Sequence, residues 1–185
     1  MNEPLSTQSI CLGDFNNNLY LGGDNGLYKY NNNTWTNVNG ITSTPPIISD
    51  IETYNNELYV LGDFNSIGGL TISNNLAKYS GTSWSTVNIP LIVDVLANYN
   101  IGLNHLKVIN NEFYITHSFY KNGGINHSPT IKYNGVSWTP VAQNYAYNGA
   151  CVHLYNNTLY CGGRMSVWGT INGPSASIGN LVKLN

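Results

Sequence analysis

One phrase occurs four times along this chain, and it constrains the fold more than any single residue does. Each copy contains an Asn-Asn pair, a short apolar run and a run centred on a lysine, and three copies continue into a segment with a tryptophan. The repeated lysines recur at near-equal intervals of about 50 residues, which is typical of stacked supersecondary units. The sequence therefore predicts four repeats, at approximately 8–38, 48–87, 104–141 and 150–185.

Each repeat is predicted to form four short strands, called a, b, c and d in chain order. The Asn-Asn pair between a and b suits a two-residue hairpin turn, because Asn tolerates positive φ. Strand b is apolar on both faces, as expected of a strand between packed layers. Strand d contains Pro140 in the third copy, and proline is tolerated on edge strands, so d is the outer edge. Glu57, Glu112 and the ammonium groups of the repeated lysines are predicted to face solvent.

Composition excludes several classes of partner. Only 9% of the residues are charged and the net charge is −2, which argues against nucleic acid, because such partners need a basic patch. No segment is apolar over the length of a membrane helix, and Met1–Ile10 lacks the features of a secretory signal. With three cysteines, a full disulfide framework is not expected. Cys11 and Cys151 are interpreted either as small buried apolar residues or as a pair, and Cys161 as core.

Four-stranded antiparallel meanders repeated around an axis form a β-propeller, and the motif residues resemble kelch-type repeats. They are Gly22-Gly23, Tyr30 and Trp35 in the first copy, Gly62, Tyr79 and Trp84 in the second, and Gly162-Gly163 in the fourth. The third copy has Thr116-His117 in place of the glycines, and the fourth lacks the tryptophan. The Asn-rich variety resembles repeats of bacterial surface proteins and of large DNA viruses. The predicted fold is therefore all-β, a single propeller domain over residues 1–185 with about four four-stranded antiparallel blades.

The fourth repeat ends without a strand d. Two ways of completing the last blade remain open from the sequence. The N-terminal stretch Asn2–Thr7 supplies the outer strand, which Pro4 permits at an edge, or another subunit completes the open edge.

A binding face is predicted on one side of the repeats. Alternate turns of a meander fall on the same side, so the long b–c loops and d–a linkers share the side opposite the tight turns, and binding usually resides in loops on a rigid scaffold. Aromatic rings and amides there suit a protein interface or a neutral sugar, and the third interpretation is that the rings cover the loops as local core. The candidate binding residues are Phe64, Tyr99, His117, Phe119, Tyr120, His127, Tyr145, Tyr147, Arg164 and Trp168.

No catalytic motif stands out. The acidic residues and histidines lack metal-ligand spacing, and no nucleophile elbow or recognisable Cys–His arrangement occurs, so no catalytic residue, metal or cofactor is predicted. The predicted function is a non-catalytic protein-interaction or structural module of a virion or cell surface, with a protein partner or self-assembly through the long-loop face. A glycan-binding propeller is the alternative, and an enzyme of unknown type is the third hypothesis.

Overall fold

A computed structural model describes residues 8–38, 41, 46–72, 75–87, 102–118, 130–141, 147–165, 177–178 and 181–184. These residues contain strands and turns but no helix, which confirms the all-β prediction. The chain divides into two compact units, Met1–Asn88 and Ile89–Asn185. Each unit contains two four-stranded antiparallel sheets. The single propeller domain stays a prediction.

The first unit contains sheets 1 and 2. Sheet 1 has the order β1 (Ser9–Phe15), β2 (Asn18–Gly23), β3 (Gly26–Asn31) and β4 (Thr34–Asn37). Sheet 2 is built in the order a to d from β5 (Ile47–Tyr54), β6 (Glu57–Asp63), β9 (Leu76–Tyr79) and β10 (Trp84–Thr86). A small hairpin of β7 (Ser66–Ile67) and β8 (Leu70–Thr71) lies in the connection between β6 and β9.

The second unit contains sheets 3 and 4. Sheet 3 has the order β11 (Gly102–Ile109), β12 (Glu112–Ser118), β13 (Thr130–Tyr133) and β14 (Trp138–Pro140), so Pro140 lies on an edge strand as predicted. Sheet 4 is built from β15 (Tyr147–Tyr155), β16 (Thr158–Met165), β17 (Ser177–Ile178) and β18 (Leu181–Leu184). Its spatial order is β15-β16-β18-β17, so the outermost strand precedes its neighbour in the chain.

Strand β17 changes the interpretation of the last sheet. Ser177 pairs with Val182 and Ile178 with Leu181, so a segment of the b–c connection lies where a strand d was missing. The outer edge of β18 is therefore already paired at Leu181 and Val182, and the two ways of completing the rest of the blade stay predictions. The Asn2–Thr7 stretch lies outside the described residues.

The Asn-Asn pairs form the predicted turns. In the a–b turn of sheet 1, Asn16 and Asn17 have φ angles of 47° and 58°, and the pairs in the other three sheets have nearly the same values. Positive φ at both central residues is the property of a type I′ hairpin turn, whose twist matches that of the flanking strands. The repeated Asn pairs are thus explained by backbone conformation.

Three tryptophans each lie against a tyrosine of the neighbouring strand, tilted in sheets 1 and 2 and stacked in sheet 3. The ring centroids are 4.9 Å apart for Tyr30 and Trp35, 4.9 Å for Tyr79 and Trp84, and 4.7 Å for Tyr133 and Trp138. Each pair is directly cross-strand between strands c and d, and such aromatic pairs stabilise a sheet edge. The Trp of the repeat therefore serves to attach the outer strand.

Sheets 1 and 2 pack face to face in the first unit. We call the face of a sheet that carries the strand-b tyrosine (Tyr20 in sheet 1) the forward face, and the opposite face, which carries Leu12 in sheet 1 and Ile51 in sheet 2, the backward face. A Cβ on Gly13 of the forward face would collide with Ile51 of sheet 2. Phe15 meets Tyr79 of sheet 2 edge-on, with ring centroids 6.2 Å apart. The forward face of sheet 1 thus packs on the backward face of sheet 2.

The second unit repeats this arrangement. The a strand of sheet 4, β15, contacts both β11 and β12 of sheet 3, as β5 contacts β1 and β2 in the first unit. The hydroxyl of Thr130, on the forward face of sheet 3, donates to Cys161 Sγ on the backward face of sheet 4, at 3.4 Å. Both units are therefore built by the same pairing of a forward face with a backward face.

Candidate functional site

A β-bulge recurs at the same place in all four sheets. The register of strand a shifts between Ser9 and Cys11, Ile48 and Asp50, Leu103 and His105, and Gly149 and Cys151. This place is the end of each sheet where strand a begins and the b–c connection leaves. The inserted residues Ile10, Ser49, Asn104 and Ala150 have nothing in common, so the sequence offered no sign of the bulge.

The bulge explains one of the motif glycines. A Cβ on Gly62 would collide with the carbonyl oxygen of Ile47, which the bulged strand β5 turns towards it. The Gly62 amide also donates to the carbonyl of Asn75, at 3.0 Å, so neighbouring backbone holds Gly62 from two sides. Glycine is needed here because the two backbones approach too closely for any side chain.

Three predicted site residues lie at this end of the sheets. His117 pairs with Leu103, Tyr147 with Met165, and Arg164 with Asn148. All these pairs lie beyond the bulge of strand a, next to the connections that the sequence predicted to form the binding face. We call this part of each sheet the bulge end, meaning the a–b residue pairs from the bulge to the b–c connection.

Phe64 lies in the core and corrects the prediction that it belongs to an exposed binding face. Its side chain is 0% exposed and belongs to the same buried cluster as Ile67, Ile72 and Leu27. The β7–β8 hairpin explains the burial, because it turns the connection back, and the Ile72 amide donates to the Asn65 carbonyl at 2.9 Å. Phe64 therefore fits the third interpretation of the loop aromatics, in which their rings form local core.

The remaining predicted site residues cannot be placed on any element. They lie outside the described part of the chain and are Tyr99, Phe119, Tyr120, His127, Tyr145 and Trp168. Their assignment to the binding face stays a prediction.

All three cysteines are free thiols, in three different environments. Burial, together with the nearby Asp50 carboxylate, raises the pKa of the Cys11 thiol to about 12. Burial also raises the pKa of Cys161, so both thiols stay protonated at neutral pH and are poor nucleophiles. Cys151 is exposed, which corrects its interpretation as a buried apolar residue.

A small polar cluster is buried between sheets 3 and 4. Thr116 and Thr130 are both fully buried and face each other as a cross-strand pair. Thr130 donates to Cys161, whereas the Thr116 hydroxyl has no hydrogen-bond partner among the described residues. An unpaired buried hydroxyl costs about 1 to 3 kcal/mol, so this position is a weak point of the second unit.

Sheets 2 and 3 carry the same triad of a lysine, a glutamate and a strand-b tyrosine, so the partly exposed glutamates and lysines are paired with each other at the sheet surface. Lys132 Nζ lies 2.6 Å from Glu112 Oε1, and the Tyr114 hydroxyl donates to Glu112 Oε2 at 2.7 Å. In sheet 2, Lys78 and Glu57 pair at 2.8 Å. Hydrogen bonds from Lys132 and then Tyr114 lower the pKa of Glu112, and burial followed by that same bond raises the pKa of Tyr114.

We expect the triad of sheet 3 to make stability depend on pH at the acid end. Because the Glu112 pKa is lowered in the folded state, its stabilising contribution is present above its unfolded value of 4.5 and is lost as pH falls through the folded value. Glu112→Gln should cost less than about 1 kcal/mol at pH 7, since the pair is half-exposed. It should also flatten the stability curve below about pH 4.5, measured by urea unfolding from pH 2 to 7. A Glu112→Gln, Lys132→Gln double-mutant cycle controls for other effects, and an unchanged acid limb would contradict the assignment.

The described residues contain no group of three or more His, Cys, Asp or Glu side chains arranged to hold a metal ion. Within the same residues, no helix has the length and apolar character needed to cross a membrane. The sequence matches no known family profile and no curated protein.

Proposed function

We propose that the four sheets are blades of a β-propeller of the kelch-like kind. The support is that the same pairing of forward and backward faces builds both units, and that the turns, the bulge and the Tyr–Trp edge recur at equivalent positions. A pairing rule that repeats with a constant rotation generates a fan of blades around an axis. The likeness to kelch repeats and the propeller arrangement both depend on the four-fold repeat.

We further propose that the chain is a non-catalytic docking module for a protein partner, using the bulge end. The observation that carries this proposal is that all four bulges occur at the end where the longest connections leave the sheets. Bulges are over-represented beside functional sites, because they redirect side chains at the edge of regular pairing. Rigid sheets that hold unequal connecting segments at one end are the usual design of a binding surface.

The inequality of the connections favours one protein partner over repeated sugar sites. The b–c connection is a two-residue turn at 24–25 in sheet 1 and a folded hairpin in sheet 2, and it spans 119–129 in sheet 3. A lectin with one site in each blade would need similar connections in every repeat. Connections that differ from sheet to sheet instead suit one macromolecular partner that contacts unequal segments.

The test compares the two ends of the sheets. The chain is used to isolate a partner from its source, and the affinity of the purified partner is then measured by calorimetry. His117→Ala and Arg164→Ala, at the bulge end, should each weaken binding by about tenfold, equal to about 1.4 kcal/mol. Val136→Ala is the matched control, because Val136 lies 88% exposed in the c–d turn at the opposite end of sheet 3, and it should change affinity less than about twofold.

Three results would contradict the docking function. If all three variants weakened binding equally, the bulge end would not be the binding surface. Selective binding to a glycan array, lost with Arg164→Ala, would identify a lectin. Substrate turnover that disappears in His117→Ala would identify an enzyme.

A further inference from the structure

The backward faces of the four sheets differ at one end of the series. Leu12, Ile51, Leu106 and Val152 occupy the same position, one residue after the bulge register. Ile51, Leu106 and Val152 are at most 3% exposed, whereas Leu12 is 61% exposed. The same contrast holds at the first residue of the apolar run in strand b, where Leu19 is 39% exposed and Leu58 is buried. Leu21 of the same face is 9% exposed, so the part of the backward face of sheet 1 that the described residues leave uncovered is the apolar strip with Leu12 and Leu19.

The forward faces show the reverse pattern. Phe15, Tyr54 and Tyr155 are equivalent last residues of strand a, and the first two are buried, whereas Tyr155 is 62% exposed. Leu27, Leu76 and Leu181 are equivalent in strand c, and only Leu181 is exposed, at 41%. Sheet 4 thus carries a forward face with the residue types that are buried in the earlier sheets. Exposed large apolar residues grouped on one sheet face mark an interaction surface.

The contact between sheets 1 and 2 specifies what each uncovered face fits. In that contact, Phe15 of a forward face meets Tyr79 of a backward face edge-on. The equivalent residues on the two uncovered faces are Tyr155 of sheet 4 and Tyr30 of sheet 1. Each uncovered face therefore presents the residue type that the other requires, within one and the same chain.

The charges of the two uncovered faces are complementary. Asp14 is exposed on the backward face of sheet 1, beside Leu19. Lys183 is exposed on the forward face of sheet 4. An acidic group on one face and a basic group on the other favour contact between unlike faces over contact between like faces.

We propose that a second copy of this chain covers these faces, with the forward face of sheet 4 in one copy packed on the backward face of sheet 1 in the other. The contact reproduces the pairing that each unit already contains. Tyr155 of one copy packs against Tyr30 of the other, and Leu181 packs against the backward face that carries Leu12. In the proposed dimer, each copy contributes both faces, so two such contacts form. This inference goes beyond the docking function, because it uses the sheet faces and not the bulge end.

The test measures association by sedimentation equilibrium from micromolar to millimolar concentration. The chain should form a dimer, and Leu12→Glu and Tyr155→Glu should each weaken dimer formation by about 30-fold or more, because each buries a charge at the apolar centre of the contact. Both positions are exposed, so the variants should stay folded, with unchanged circular dichroism. Val136→Glu is the matched control, an exposed apolar residue in a turn, and it should leave the association constant within about twofold.

Mixing the two variants identifies which faces meet. A copy with Leu12→Glu keeps its sheet 4 face, and a copy with Tyr155→Glu keeps its sheet 1 face, so a one-to-one mixture should form heterodimers through one intact contact. Neither variant alone should do so at the same concentration. A chain that stays monomeric at millimolar concentration overturns the proposal, and so does a Tyr155→Glu variant that dimerises like the unchanged chain. The docking test above does not depend on either result, because its variants and its partner are different.

Discussion

Replacing Phe64 with alanine should lower the free energy of unfolding by about 3 to 5 kcal/mol. The side chain is fully buried in a cluster with Ile67, Ile72 and Leu27, so its removal leaves a cavity that the neighbouring β7–β8 hairpin and β3 line. Both the lost transfer of apolar surface from water and the unfilled cavity contribute. The measurement is urea unfolding followed by tryptophan fluorescence, since Trp84 packs against Gly68 of the same hairpin.

Phe64→Leu is the matched control and should cost less than about 1.5 kcal/mol, because most of the apolar volume stays. The comparison distinguishes a core residue from a binding residue. A binding residue on an exposed face would tolerate alanine within about 0.5 kcal/mol and would instead weaken partner binding. A stable Phe64→Ala protein with impaired binding would restore Phe64 to the binding face.

The local elements were predictable because they depend on short-range chemistry. The turns at Asn16-Asn17 and its equivalents require positive φ, and few residues other than Asn and Gly adopt it. The Asn pairs in the sequence therefore predict the turn positions. The outer position of the Trp strands followed from Pro140 in the same way. These inferences needed only the residues themselves and the geometry of a two-residue hairpin.

Features that depend on residues distant in sequence were not predictable. The alternation of turns predicts that Phe64 lies in an exposed binding loop, whereas the β7–β8 hairpin, a pairing of two two-residue strands, buries it. Strand β17 has two residues and no alternating pattern, so nothing in the sequence marked it as the outer strand of sheet 4. The pairing of Glu112 with Lys132 was missed because the register between strands b and c decides it.

The bulge end was predictable only in part. The side of the repeats that carries long connections followed from the alternation of turns, and His117, Tyr147 and Arg164 are indeed in register there. The bulge itself was not foreseen, although one consequence was visible as a motif glycine. The repeat resemblance marks Gly62 as a motif residue, and the structure gives its physical cause, which is the proximity of the bulged strand β5.

We expect Gly62→Ala to lower the free energy of unfolding by about 3 kcal/mol or more, because the new methyl group would overlap the carbonyl oxygen of Ile47. A neighbouring side chain could rotate away from the methyl group, but the Ile47 carbonyl belongs to the backbone. Strand β6 cannot move away from it either, since the Gly62 amide donates a hydrogen bond to the Asn75 carbonyl at 3.0 Å. Relief therefore requires loss of pairing between β5 and β6 at the bulge.

Gly69→Ala separates this steric effect from the ordinary conformational cost of replacing glycine. Gly69 has a φ of 81° but open space around it, so alanine there should cost only about 1 kcal/mol. Urea unfolding of both variants gives the comparison, and amide hydrogen exchange should show the loss of protection in Gly62→Ala centred on the bulge of β5. Equal costs for the two variants would mean that the bulge yields to a methyl group, and the proposed role of the four bulges as rigid supports of a binding surface would then be wrong.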